Sequence, residues 1–211
     1  MLNFFIKGGP VMYPLLLCSL IALTVIIERA LFWIRVDIHR SLPLVEEILE
    51  LFRQGDLEAI RLKTAGSRNR IIRILVTGIL HREYNAAKAM EAAAVEELKG
   101  MRRFMGVMDT MITVAPLFGI FGTVLGIISS FEMLGSAGIE NPLAVTSGIA
   151  QALITTAAGL AIAILTIFPY NFFNNKIENA LMTMETYATQ LEVLNDKHRQ
   201  SLNRREEAPP A

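Results

Sequence analysis

Three stretches of this chain contain no charged residue, and they constrain its fold more than any other feature. Lys7 and Glu28 bracket the first, 20 residues reading GGPVMYPLLLCSLIALTVII. Asp109 and Glu132 bracket the second, the 22 residues 110–131. The third is the 35 residues 141–175, with its apolar centre at 149–168. A helix needs about 20 apolar residues to cross a bilayer. Lipid offers no water to bond backbone groups, so each crossing must be helical. The windows predict three transmembrane helices, at about 9–28, 109–132 and 148–169.

Composition agrees. The 211 residues are 53% hydrophobic and 19% charged, against about 45–50% and about 25% in soluble domains. That argues against disorder and against a soluble enzyme. Lys plus Arg equal Asp plus Glu, 20 of each. A nucleic-acid binder should be basic instead. One cysteine, Cys18, excludes an intramolecular disulfide framework and a Cys-rich metal site. His39, His81 and His198 are scattered without ligand spacing. No metal, cofactor or catalytic constellation is expected.

The first window resembles a signal peptide only superficially. No small-x-small cleavage site ends it, and Glu28-Arg29 follow directly, so it reads as an uncleaved anchor. Orientation follows from Lys and Arg. Residues 28–106 hold 14 of the 20, the tail after Phe168 holds five, and 133–147 hold none. The positive-inside rule places 28–106 and the C-terminal tail in the cytoplasm. The N-terminus and the 133–147 loop then lie outside. Four segments result: 1–28 as external N-terminus and first span, 29–106 as a cytoplasmic helical region, 107–170 as the second and third spans, and 171–211 as a cytoplasmic extension and tail.

The cytoplasmic segments read as helices. Ser41-Leu42-Pro43 suits a helix start, because proline is tolerated in a first turn. Leu44, Ile48, Leu51 and Phe52 then form an apolar stripe. Gly55-Asp56 ends that helix and caps the next, which runs to about Ala65-Gly66. Asn69 to His81 carries Ile71, Ile72, Leu75 and Ile79 on one face, and Asn85 suits another cap. From Ala86 the chain is rich in helix formers and can continue unbroken into the second span. The third span can continue past Pro169, with apolar positions at Ile177, Leu181, Met184, Ala188, Leu191 and Leu194. These stripes suit a bundle better than a ligand groove. The acidic pairs Glu46-Glu47 and Glu96-Glu97 read as solvated faces. The fold class is an all-α membrane protein, two of whose spans extend into a cytoplasmic helical bundle.

Small and polar residues inside the spans carry the functional signal. Gly119, Gly122 and Gly126 are three and four apart, and Thr123 and Ser130 share their side of the second span. Gly122 and Gly126 form a GxxxG, which lets helices approach closely. In the third span Gln151, Thr155 and Gly159 recur every four residues, with Thr156 beside Thr155. Two readings stand side by side. The hydroxyls bond their own helices and glue the spans together, or they form a polar seam lining a pore or a buried partner helix. No span window contains Asp, Glu, Lys, Arg or His. Proton-driven machines usually need an ionisable group in the membrane. If this chain handles protons, the acid must come from another chain.

TVAPLFGIFGTVLGIISSF, followed by GIAQALITTAAGLAIAILTIFPYNFF, resembles the MotA/TolQ/ExbB proton-channel family. The opening GGPVMYPLLLCSLIALTVIIER is similar to the ExbB/TolQ first span, and three spans suit ExbB and TolQ better than the four of MotA. The resemblance implies a homopentamer in the bacterial inner membrane around a dimer of a single-span ExbD/TolR-type partner. That partner supplies the titrating aspartate. Family threonines facing it fall on Thr123 and Thr156, with Thr155 and Gln151 beside them. Gly119, Gly122, Gly126, Gly159 and Pro116 are expected to pack the helices. Work would pass to a TonB- or TolA-like transducer; no nucleic acid is implied. An ExbB-like, TonB-type role is the first expectation, a TolQ-like role in envelope maintenance and cell division the second. A non-conducting scaffold is the alternative of another class. One departure stands out: where several relatives carry glutamate in GIAEALIATA, this chain has Gln151.

Overall fold

The computed structural model describes residues 5, 7–38, 42–67, 69–137 and 142–206. Seven long helices account for most of them: α1 Met12–Ile38, α2 Leu42–Gln54, α3 Leu57–Thr64, α4 Arg70–Leu80, α5 Ala86–Met101, α6 Met105–Ala137 and α7 Pro142–Glu206. No strand occurs among the described residues. Three stretches are long and apolar enough to cross a membrane, Met12–Arg35, Met105–Gly135 and Thr146–His198, as the charge-free windows predict. Each helix outruns its window. The Ser41 part of the expected α2 start and the RREEAPPA end fall wholly or partly outside the described residues.

The chain divides into two compact units. The first comprises Met1–Phe32 and Phe104–Asn174. Its core is built from Val11, Leu15, Cys18 and Ala115, with Met111, Phe118, Leu125, Ala158 and Ile162 packed against them. So α1, α6 and the first half of α7 all contribute. Only 28%, 22% and 28% of the three apolar windows is buried within the chain. Leu16, Leu20, Leu23 and Ile27 of α1 and Leu117, Phe121, Val124 and Phe131 of α6 stay exposed. An apolar surface that continuous is tolerated against lipid or another subunit, not against water.

A long run from Ala86 into the second span does not form one helix. It breaks at Arg102, Arg103 and Phe104, between α5 and α6. Phe104 adopts φ 62, a left-handed conformation uncommon for a bulky side chain. Its ring lies 5.8 Å from the Arg29 guanidinium, which also stacks 4.4 Å over Phe32. Arg29 is 1% exposed and donates from Nη2 to Glu28 Oε1 at 2.6 Å. The buried Arg29 cation thus meets the Glu28 carboxylate and the faces of Phe32 and Phe104. α7, by contrast, runs through Pro169 without interruption.

The second unit comprises Trp33–Arg103 and Asn175–Ala211. Local chemistry sets its helix ends. Gly55 turns at φ 79, and Asp56 then caps α3 by accepting from the Ala59 amide at 3.0 Å. Asn69 accepts from the Ile71 amide at 2.9 Å and Asn85 from the Lys88 amide at 3.0 Å, satisfying orphan donors of α4 and α5. The α4 face Ile71, Ile72, Leu75 and Ile79 is buried as expected, and Ile74 joins it. In α2, Ile48 and Phe52 of the expected stripe are buried, and Val45 and Leu49 complete the buried face in place of the half-buried Leu44 and Leu51. In α7, Ile177, Met184 and Leu191 are the buried members of the expected stripe. A Cβ at Gly78 would lie 2.6 Å from Met90 Cγ and 3.1 Å from Leu191 Cδ2, so α4 approaches both neighbours closely.

One acidic pair is misread from sequence. Glu96 is exposed, but Glu97 is buried and bonds Arg70 at 2.6 Å and Arg73 at 2.8 Å. It ties α5 to α4. Glu97→Ala strands a partly buried Arg70, which costs several kcal/mol when a pair is fully buried. Arg73 is 65% exposed and can rehydrate. The net expectation is about 2 kcal/mol of lost stability, read as a lower thermal midpoint with unchanged helix content.

Candidate functional site

The site is the crossing of α6 and α7. Small residues on each helix let the backbones approach. A Cβ at Gly119 would lie 3.0 Å from both the Thr155 carbonyl oxygen and Thr156 Cα. At Gly122 it would lie 2.6 Å from Thr155 Cβ, and at Gly126 2.8 Å from the Gly148 carbonyl oxygen. At Gly159 it would lie 2.5 Å from the Ala115 carbonyl oxygen and 3.1 Å from Gly119 Cα. No side chain larger than hydrogen fits these positions without moving backbone or a packed neighbour.

The facing row on α7 is Gly148, Ala152, Thr155 and Gly159, not the Gln151-Thr155-Gly159 row read from sequence. Gly148 and Ala152 are the members that sequence reasoning misses; the spacing of four, three and four along Gly148, Ala152, Thr155 and Gly159 is the available signal. Ser130, 4% exposed, stands against Gly148 and donates to the Gly126 carbonyl at 2.9 Å.

The hydroxyls divide into two kinds. Thr155 is fully buried in the crossing and donates to its own helix, at the Ala152 carbonyl, 2.8 Å away. Thr156 and Thr123 are half-buried at the edge. Thr156 donates across the crossing to the Gly119 carbonyl at 3.0 Å. In an α-helix that carbonyl also receives the amide of the residue four later, which is Thr123. One backbone oxygen therefore links the two edge threonines. Thr123 donates its own hydroxyl to the Ile120 carbonyl at 2.5 Å.

That geometry limits what the seam can do. Both edge hydroxyls spend their proton on backbone carbonyls, so each keeps acceptor lone pairs. They can receive a hydrogen bond from a protonated carboxylic acid or a water. To donate to a carboxylate, each must first release its carbonyl. Neither titrates. Pro116 sits inside α6, one turn from Gly119 and beside Ala115, whose carbonyl faces Gly159. Having no N–H, it leaves the carbonyl of Ile112 without its usual helical donor.

Gln151 is placed elsewhere. Its side-chain amide packs against Gly9, which turns at φ 71 just before α1. The structure thus brings Thr123, Thr155 and Thr156 to one crossing with the glycines, and puts Gln151 at the head of α1.

Fold and crossing together define a three-span helical membrane protein with a small-residue, hydroxyl-bearing seam and no acid of its own within the span windows. The sequence model of the MotA/TolQ/ExbB proton channel family matches residues 67–186, more than half of the chain. The chain belongs to that family. It is 34% identical over 192 residues to the putative biopolymer transport protein ExbB-like 3 of Synechocystis, covering 89% of this chain and 91% of that one. ExbB-like 1 of the same organism is 37% identical over 176 residues, covering 81% and 69%. The Tol-Pal system protein TolQ of Pseudomonas aeruginosa is 33% identical over 108 residues, covering 51% and 47%.

Proposed function

We propose that this chain is the inner-membrane stator subunit of a proton-motive-force-driven transducer, ExbB-like in service, and not an enzyme. It assembles as a homo-oligomer, a pentamer by family resemblance, around an ExbD/TolR-like single-span partner. That partner carries the titrating aspartate. Thr123 and Thr156 accept hydrogen bonds from the acid when it is protonated and release it when it is charged. Residues 29–106 and 171–211 lie in the cytoplasm, with the N-terminus and the loop between α6 and α7 outside. Work passes to a TonB-like transducer.

The observation that carries this reading is the pairing of a hydroxyl seam with span windows that hold no Asp, Glu, Lys, Arg or His. Proton coupling at such a seam needs an acid, and the span windows of this chain do not supply one. Service in a Tol-type system is the second reading, supported by the likeness to TolQ. The ExbB-like relatives align over 89% and 81% of this chain, which supports the first reading.

Native mass spectrometry of the chain, co-expressed with the single-span protein of its own genome, tests the assembly. The expected species is an oligomer of this chain holding copies of the partner. A stable monomer, or an oligomer that never retains the partner, contradicts the proposal.

A further inference from the structure

The second unit carries an open groove of about 340 Å³ between α5 and the distal part of α7. Its floor is apolar: Met90, Ala94 and Leu98 on one side, Leu181, Met184 and Ala188 on the other. Its rim is acidic. Glu91, Glu185 and Glu192 line it, all exposed, and none has an ion-pair partner among the described residues. Carboxylates spaced around an apolar trough repel one another and favour a cation arriving with an apolar side chain.

The same unit presents such a group. On α3, Leu62 is 72% exposed, an outlying leucine on an eight-residue helix. Arg61 and Lys63 flank it, both exposed. Lys63 pairs with Glu47 of α2, whereas Arg61 has no ion-pair partner among the described residues. A leucine knob beside an uncommitted arginine complements an apolar groove rimmed by uncommitted glutamates.

We propose that the groove between α5 and α7 receives the Leu62 face of α3 from a second copy of this chain. Leu62 enters the apolar floor, and Arg61 meets the glutamate rim. Knob and groove are different surfaces of one chain, so the contact is heterologous. Repeated, a heterologous contact builds a ring when its rotation closes, whereas an isologous C2 contact stops at a dimer. The inference rests on the homo-oligomer proposed above and names the surfaces that join its copies.

Cysteine cross-linking tests it in the full-length chain with the partner present, in a Cys18→Ala background. One preparation carries Leu62→Cys, the other Ala94→Cys. Co-expressed, they are expected to give a disulfide-linked dimer that neither gives alone, which excludes a link within one chain. Arg61→Glu should lower the cross-linked yield about fivefold, the scale of one rim charge pair. Adding Glu185→Arg to the groove copy should restore it, which loss of folding would not allow. An intact oligomer with no cross-link overturns the inference alone. A monomeric chain overturns the oligomer as well. A fluorophore on Leu62→Cys quenched by doxyl lipid, without any cross-link, assigns that face to the membrane surface and also overturns it.

Discussion

Gly159→Ala is expected to destabilise the chain by about 2 kcal/mol, although alanine is the better helix former by about 1 kcal/mol. The sign is set by what the new methyl meets. It would lie 2.5 Å from the Ala115 carbonyl oxygen and 3.1 Å from Gly119 Cα, and both are backbone. Backbone cannot rotate away, so α6 and α7 must separate along the whole crossing. Separation also lengthens the 3.0 Å bond from Thr156 to Gly119. Unfolding in mixed micelles measures the change. Gly106, where a Cβ meets nothing within 4 Å, is the control, and Gly106→Ala should be neutral or stabilising. A stabilised Gly159→Ala chain would show that the crossing is looser than described. Gly122→Leu should be worse, because even its Cβ would lie 2.6 Å from Thr155 Cβ, and three more carbons follow.

Thr156→Val separates the proton-coupled reading from the scaffold. Valine keeps the shape and removes the hydroxyl. The structural loss is one interhelical hydrogen bond, which averages about 0.6 kcal/mol in membrane proteins. The Gly119 carbonyl is not orphaned, since the Thr123 amide still reaches it through the helix. Assembly should therefore persist. Proton-coupled activity should fall about tenfold or more, because an acid in the seam loses an acceptor for its protonated form; that drop corresponds to ~1.4 kcal/mol of barrier. Thr156→Ser restores the hydroxyl and should recover most of the activity. Thr155→Val touches a hydroxyl buried inside the crossing and bonded to its own helix. It should affect stability more than transport. If Thr156→Val and Thr156→Ser transport alike at normal assembly, the hydroxyl has no role in transport; if neither they nor the parent chain with its partner transports at all, the scaffold reading stands.

The spans were legible in sequence because lipid makes one demand that composition answers directly: no charge over about 20 residues. Helix ends at Asp56, Asn69 and Asn85 were equally legible, since capping is chemistry within three residues. Features decided by distant partners were not. Glu97 looked like its neighbour Glu96 until Arg70 and Arg73 were placed beside it. The break at Phe104 involves no proline, and Gly100 just before it stays helical; the break coincides with a ring set over Arg29, far away in sequence. The glycine stripe of α6 was visible from spacing. Spacing alone places the matching row of α7 one helical edge away, through Gln151. Only the contacts show that Gly148 and Ala152 face Gly126 while Gln151 packs on Gly9. A four-residue period drifts around a 3.6-residue helix, so spacing alone cannot choose between adjacent rows.

The central claim is that the chain holds the seam and another chain holds the acid. Proton uptake into sealed vesicles tests it most directly, under an imposed potential and with a pH-sensitive dye inside. Three preparations suffice: the chain alone, the chain with its single-span partner, and the chain with a partner whose span aspartate is replaced by asparagine. The account predicts uptake only in the second. Equal uptake in all three would contradict it, because protons would then cross without a titrating acid in the seam.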